Sequence, residues 1–188
     1  MIIKTFENFK LYLEKDSTVY EYGCILINLD IPNWEEFIYK IAKDDVYEYG
    51  SERYGLEEEP HCTILYGINA DVTDEQVKDL FSKVKKSDIQ IKVKGIDCFY
   101  NPQYDVLKIN VESPKLTELN QLAKTLPYTS NFPDYKPHIT IAYLNRGKGR
   151  NYIKPTFDME AYSIRNIIYS KPNGEQIEIG KQDEIPLS

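Results

Sequence analysis

A chain of 188 residues, 41% hydrophobic and 28% charged, is sized for one domain (residues 1–188) with a single core and has the composition of a soluble globular protein. Its net charge of −7 and pI near 5.0 argue against a basic grip on long nucleic acid and favour a small phosphorylated substrate. No apolar run approaches the roughly 18 residues of a membrane span, no signal peptide is evident, and Cys24, Cys62 and Cys98, odd in number and without CxxC spacing, read as reduced residues of a cytoplasmic protein.

In chain order, Ile2, Phe6, Phe9 and Leu13 fall at near-helical spacing over residues 1–16, and Tyr12 lies off that stripe as a candidate substrate contact. Residues 20–30 read as a buried strand. Pro32-Asn33 leads into an amphipathic helix from Trp34 to Ala42, with Trp34, Phe37, Ile38 and Ile41 on one face. Residues 43–59 form a polar, acidic loop carrying Tyr47, Tyr49 and Tyr54, and of these Tyr54 is a second candidate for stacking on substrate.

A strand from Pro60 follows, then a helix that starts on a capping box, Thr73 with Gln76 three residues on. Asp88–Tyr100 and Tyr104–Val111 read as an antiparallel pair around Asn101-Pro102-Gln103, and Ser113-Pro114 opens a helix to Leu126. Residues 127–136 are a second loop, and a strand follows to Leu144. Asn145–Asn151 is a Gly-interrupted basic loop in which Arg146 and Lys148 are candidate phosphate contacts, with an ordinary solvated turn as the other reading. A hairpin over Glu160–Tyr169 and Gln176–Gly180, turning at Pro172-Asn173-Gly174, ends the chain.

Pro60-His61-Cys62-Thr63-Ile64-Leu65-Tyr66 recurs 77 positions later as Pro137-His138-Ile139-Thr140-Ile141-Ala142-Tyr143, and the chain has no other histidine. Both histidines acquiring a Pro before and a Thr two places after by chance is on the order of one in 10⁵. Strict alternation along a strand puts His61 and Thr63 on one face, about 6.6 Å apart, with Cys62, Ile64 and Tyr66 on the other. The same rule groups His138, Thr140 and Ala142 against Ile139, Ile141 and Tyr143. Each strand thus offers one imidazole beside one hydroxyl.

These paired H-x-T elements resemble the signature of the 2H phosphoesterase superfamily. That superfamily includes RNA 2′,3′-cyclic phosphodiesterases, the 2′-5′ RNA ligases, and phage enzymes that destroy host cyclic-nucleotide signals. Gly55-Leu56-Glu57 ahead of Pro60-His61, and Leu65-Tyr66-Gly67 after it, are most similar to the phage anti-CBASS branch. The resemblance implies catalytic roles for His61, Thr63, His138 and Thr140. It also implies an α+β fold with two pseudo-symmetric lobes, two mainly antiparallel sheets around a shared cleft and helices outside. If the protein is viral, it would act in the host cytoplasm.

Two imidazoles suit metal-free phosphodiester cleavage, because one can accept a proton while the other donates one. Two histidines 77 apart with scattered cysteines make a poor zinc site, and no dinucleotide or P-loop glycine pattern is present, so neither metal nor cofactor is expected. The leading expectation is a metal-independent phosphodiesterase cutting 3′–5′ linkages of cyclic nucleotides or oligonucleotides. The alternatives are an RNA 2′,3′-cyclic phosphodiesterase and a non-catalytic nucleotide-binding module. The base, the acid and the oligomeric state are not legible at this level.

Overall fold

The computed structural model describes residues 21–48, 54–130, 132, 134–157, 159 and 161–181. The helix expected over 1–16, with Tyr12, lies outside these residues.

The elements run β1 (Tyr22–Asp30), α1 (Trp34–Ile38), β2 (His61–Asn69), α2 (Asp74–Phe81), β3 (Lys92–Tyr100), β4 (Tyr104–Glu112), α3 (Pro114–Ala123), β5 (His138–Asn145), β6 (Ser163–Ser170) and β7 (Gln176–Ile179). Local chemistry accounts for the helix starts. Thr73 accepts from the Gln76 amide while the Gln76 side chain accepts from the Thr73 amide, and Ser113 caps α3 with Pro114 behind it. Such caps are worth about 1 kcal/mol each. The helix expected from Trp34 to Ala42 closes after Ile38. Asn33 sits at φ 58 with no side-chain cap, and Lys40 and Ile41 reach back only three residues, to Phe37 and Ile38.

Where two sheets were expected, the strands of the described residues form one seven-stranded sheet in the order β3-β4-β5-β2-β1-β6-β7. The reason is a single register pair at its centre, Cys62 with Ile139, which joins β2 to β5. From that point the two strands splay, and loops fill both gaps. Val46 and Leu56 pair with Leu144 and Ala142, and Tyr128 pairs with Ile68. The acidic stretch before β2 therefore spends part of its length as an edge of β5, with Tyr47 N donating to Tyr143 O at 2.9 Å and Glu57 N to Ile141 O at 2.9 Å.

The order of the first six strands is unchanged when β1 exchanges with β4, β2 with β5 and β3 with β6. Each motif strand is followed by a strand that crosses to the far half. The main core lies on one face, where Ile25, Ile27, Cys62 and Ile139 pack with Trp34 of α1, Phe81 of α2, and Leu116 and Leu119 of α3. The opposite face carries two smaller clusters, Cys24, Leu26 and Ile168 with Tyr66, and Tyr104, Val106 and Tyr143 with Tyr47, Tyr54 and Phe99.

Candidate active site

The one β2–β5 register pair joins the middle residues of the two motifs. Residues opposite one another in an antiparallel ladder point to the same face, and Cys62 and Ile139 both point into the main core. Their neighbours His61, Thr63, His138 and Thr140 therefore share the other face, two from each strand. His61, Thr63 and Thr140 are buried and His138 is half-buried.

Both histidines are held alike. His61 Nδ1 lies 2.9 Å from Glu59 O, and His138 Nδ1 lies 2.7 Å from Lys136 O. A carbonyl can only accept, so Nδ1 carries the proton and the neutral ring presents its lone pair at Nε2. The repeated prolines stand between each carbonyl and its imidazole. Lacking an N–H, they need no ladder partner, while their own carbonyls accept from Leu29 N and Val111 N in the neighbouring strands.

Immediately after each Thr the alternation breaks. Leu26 pairs with Thr63 and Ile25 with Leu65, and likewise Lys108 pairs with Thr140 and Leu107 with Ala142. Ile64 and Ile141 are the extra residues of two matching bulges, and an extra residue reverses the facing of everything beyond it. Leu65 and Ala142 thus join the core, while Tyr66 and Tyr143 turn to the site face and line the cleft. This corrects the placement by strict alternation, which put both tyrosines in the core and Ala142 beside His138. The recurrence of Tyr five places after each His was the available signal.

The cleft has a volume of about 540 Å³, and its lining includes Thr63, His138, Thr140, Tyr66, Tyr143 and Phe99. His61 is not part of that lining, although its charge acts on His138. Thr63 Oγ1 is, among the described residues, a buried atom without a hydrogen-bond partner. The Tyr135 hydroxyl donates to Thr63 O at 3.0 Å, tying the segment before one motif to the strand of the other. Burial, with the positive charges of Lys108 and His61, pushes the His138 imidazole down to about 4, so it is neutral near pH 7.

The remaining candidates lie elsewhere. Tyr54 packs edge-on to Tyr143, with ring centroids 5.5 Å apart, behind the cleft wall. Neither Arg146 nor Lys148 lines the cleft. The basic loop is held by carboxylates of the protein itself: Asp105 Oδ2 accepts from Gly147 N and Gly149 N at 2.9 Å each, and Lys148 pairs with Asp45 at 2.7 Å.

Sequence reasoning missed Lys108, which sits directly across from Thr140 and is 3% exposed. A lysine alternating with Leu107 and Ile109 reads as a solvent-facing strand position, and nothing local marks it otherwise. Desolvation lowers its pKa.

Among the described residues, no three His, Cys, Asp or Glu side chains converge as a metal site, and no helix is long and apolar enough to cross a membrane. A search of curated proteins returned no match. The family model described as anti-CBASS protein Acb1 matches residues 48–167, a stretch that covers well over half of the chain and contains both motifs. The chain therefore belongs to the Acb1 family of anti-CBASS proteins.

Proposed function

We propose that this protein is a metal-independent phosphodiesterase of the 2H type that cuts 3′–5′ linkages of cyclic oligonucleotides and so removes a CBASS defence signal. The observation that carries the reading is the antiparallel crossing of the two motifs at Cys62 and Ile139, which gathers two imidazoles and two hydroxyls on one face. The Acb1 family match supports the same class of small nucleotide substrate. Net charge −7 agrees with a compact ligand rather than a long polyanion.

The chemistry follows from proton positions. Neutral His138 takes the proton of a ribose 2′-OH at Nε2, and the 2′ oxygen attacks the adjacent phosphorus. The P–O5′ bond breaks as His61 protonates the departing 5′ oxygen, leaving a 2′,3′-cyclic phosphate and a free 5′-OH. Water can then open that ring, with the two histidines exchanging roles. An attacking group already fixed on the substrate removes much of the entropic barrier. Thr63 and Thr140 donate to the non-bridging oxygens as charge accumulates. The presence of both threonines in the lining of the cleft supports that part.

The test is incubation with ribose cyclic di- and trinucleotides and with their 2′-deoxy analogues, with products read by mass spectrometry. Cleavage of the ribose forms alone, insensitive to EDTA and lost in both His61→Asn and His138→Asn, is expected. Comparable cleavage of the deoxy analogues would refute the 2′-OH route. Activity confined to 2′,3′-cyclic RNA ends would refute the cyclic-oligonucleotide assignment.

A further inference from the structure

The two motifs alone do not distinguish a base from an acid. Each histidine is locked through Nδ1 to the carbonyl two residues upstream. Each is followed by a bulge after its Thr, and each lies opposite an asparagine of the neighbouring strand, Asn28 for His61 and Asn110 for His138. The likeness ends one pair further on: Thr63 faces Leu26, whereas Thr140 faces Lys108.

Lys108 is connected to His138 by Phe99 and Asn110. Its Nζ donates to Asn110 Oδ1 and lies 4.3 Å from the centre of the Phe99 ring. That ring meets the His138 ring at right angles, with centroids 5.0 Å apart. The carboxylate nearest the ammonium, Asp97, is 3.8 Å away and half exposed, so it neutralises the charge incompletely. The titratable groups facing Lys108 are Asp97 and Cys98 from β3 and Lys136 from the segment before β5, and those facing His138 are Lys108 and His61.

We infer that Lys108 is a positioning residue that breaks the symmetry of the two motifs: its buried ammonium, one aromatic ring away from His138, adds to the burial of that imidazole in favouring its unprotonated form, which makes His138 the base and His61 the acid. The inference rests on the acid–base reading above and names the residue that sets the direction in which the proton moves. Two histidines of equal standing would give neither a preference for the role of base. A fixed positive charge beside one of them biases that one toward the neutral form before substrate binds.

Because the chain has only two histidines, ¹⁵N-histidine NMR of the full-length protein resolves both titrations, and His61→Asn assigns them. Lys108→Met should raise the His138 midpoint and carry the ascending limb of kcat/KM up with it by the same amount. Lys108→Arg, which keeps the charge, should leave both near their original positions. Asp97→Asn, at a half-exposed position, should move the His138 midpoint down by uncovering the ammonium, and it serves if Lys108→Met does not fold. A His138 midpoint unmoved in Lys108→Met, or unmoved in Asp97→Asn, overturns the inference. If the midpoints move while no cyclic oligonucleotide is cut, the proposed substrate fails and the assignment of Lys108 stands.

Discussion

Replacing His138 by Asn removes a group whose titration is displaced by burial, while a side-chain amide remains to donate to Lys136 O, and the consequence should be readable in the pH dependence of stability. In the unfolded chain this imidazole titrates near 6.5, and in the folded protein it is pushed down to about 4. Between those values the unfolded chain holds a proton that the folded one does not, so stability falls as pH falls through that window. The displacement sets a ceiling of about 3 kcal/mol, and partial exposure of the ring brings the expected loss to about 1–2 kcal/mol. Urea unfolding of both proteins at about pH 7 and about pH 4.5 measures it. Asp45, Glu112 and Glu175, held low by Lys148, Lys94 and Lys171, lose their contributions at lower pH in both proteins and cancel in the difference. The native protein should lose more stability than His138→Asn over this interval, and parallel losses would refute the assignment of a neutral, half-buried His138.

Thr63→Ala and Thr140→Ala should each lower kcat by about 10²–10³ with little change in KM, measured on whichever cyclic oligonucleotide is cut fastest. Gly67→Ala should destabilise the fold by more than about 2 kcal/mol in urea unfolding, because its φ is +99° and a Cβ would stand 2.0 Å from Thr129 O, prising residues 127–129 off β2. Asp105→Ala should cost about 2–4 kcal/mol by orphaning the amides of Gly147 and Gly149. Arg146→Ala and Lys148→Ala should leave KM for substrate unchanged, since neither side chain lines the cleft; a several-fold rise in KM in either would restore the basic loop as a phosphate contact.

By itself the sequence determined whatever depends on near neighbours along the chain. The capping box at Thr73 and Gln76, the Ser113-Pro114 helix start and most strand limits follow from side chains acting within a few residues of themselves. The placing of His and Thr on one face of each motif strand is equally local, being the period of a strand. Tertiary structure decided what requires two distant segments to meet. The pairing of Cys62 with Ile139 makes one sheet of the two halves, and the matching bulges at Ile64 and Ile141 turn Tyr66 and Tyr143 toward the cleft. The acidic loop gained hydrogen-bond partners only because β2 leaves the edge of β5 open. Lys108 became a buried charge for a similar reason. A residue's environment is set by whatever packs over its strand, here Phe99, Asp97 and the His138 strand, and nothing in the run from Leu107 to Ile109 specifies that company.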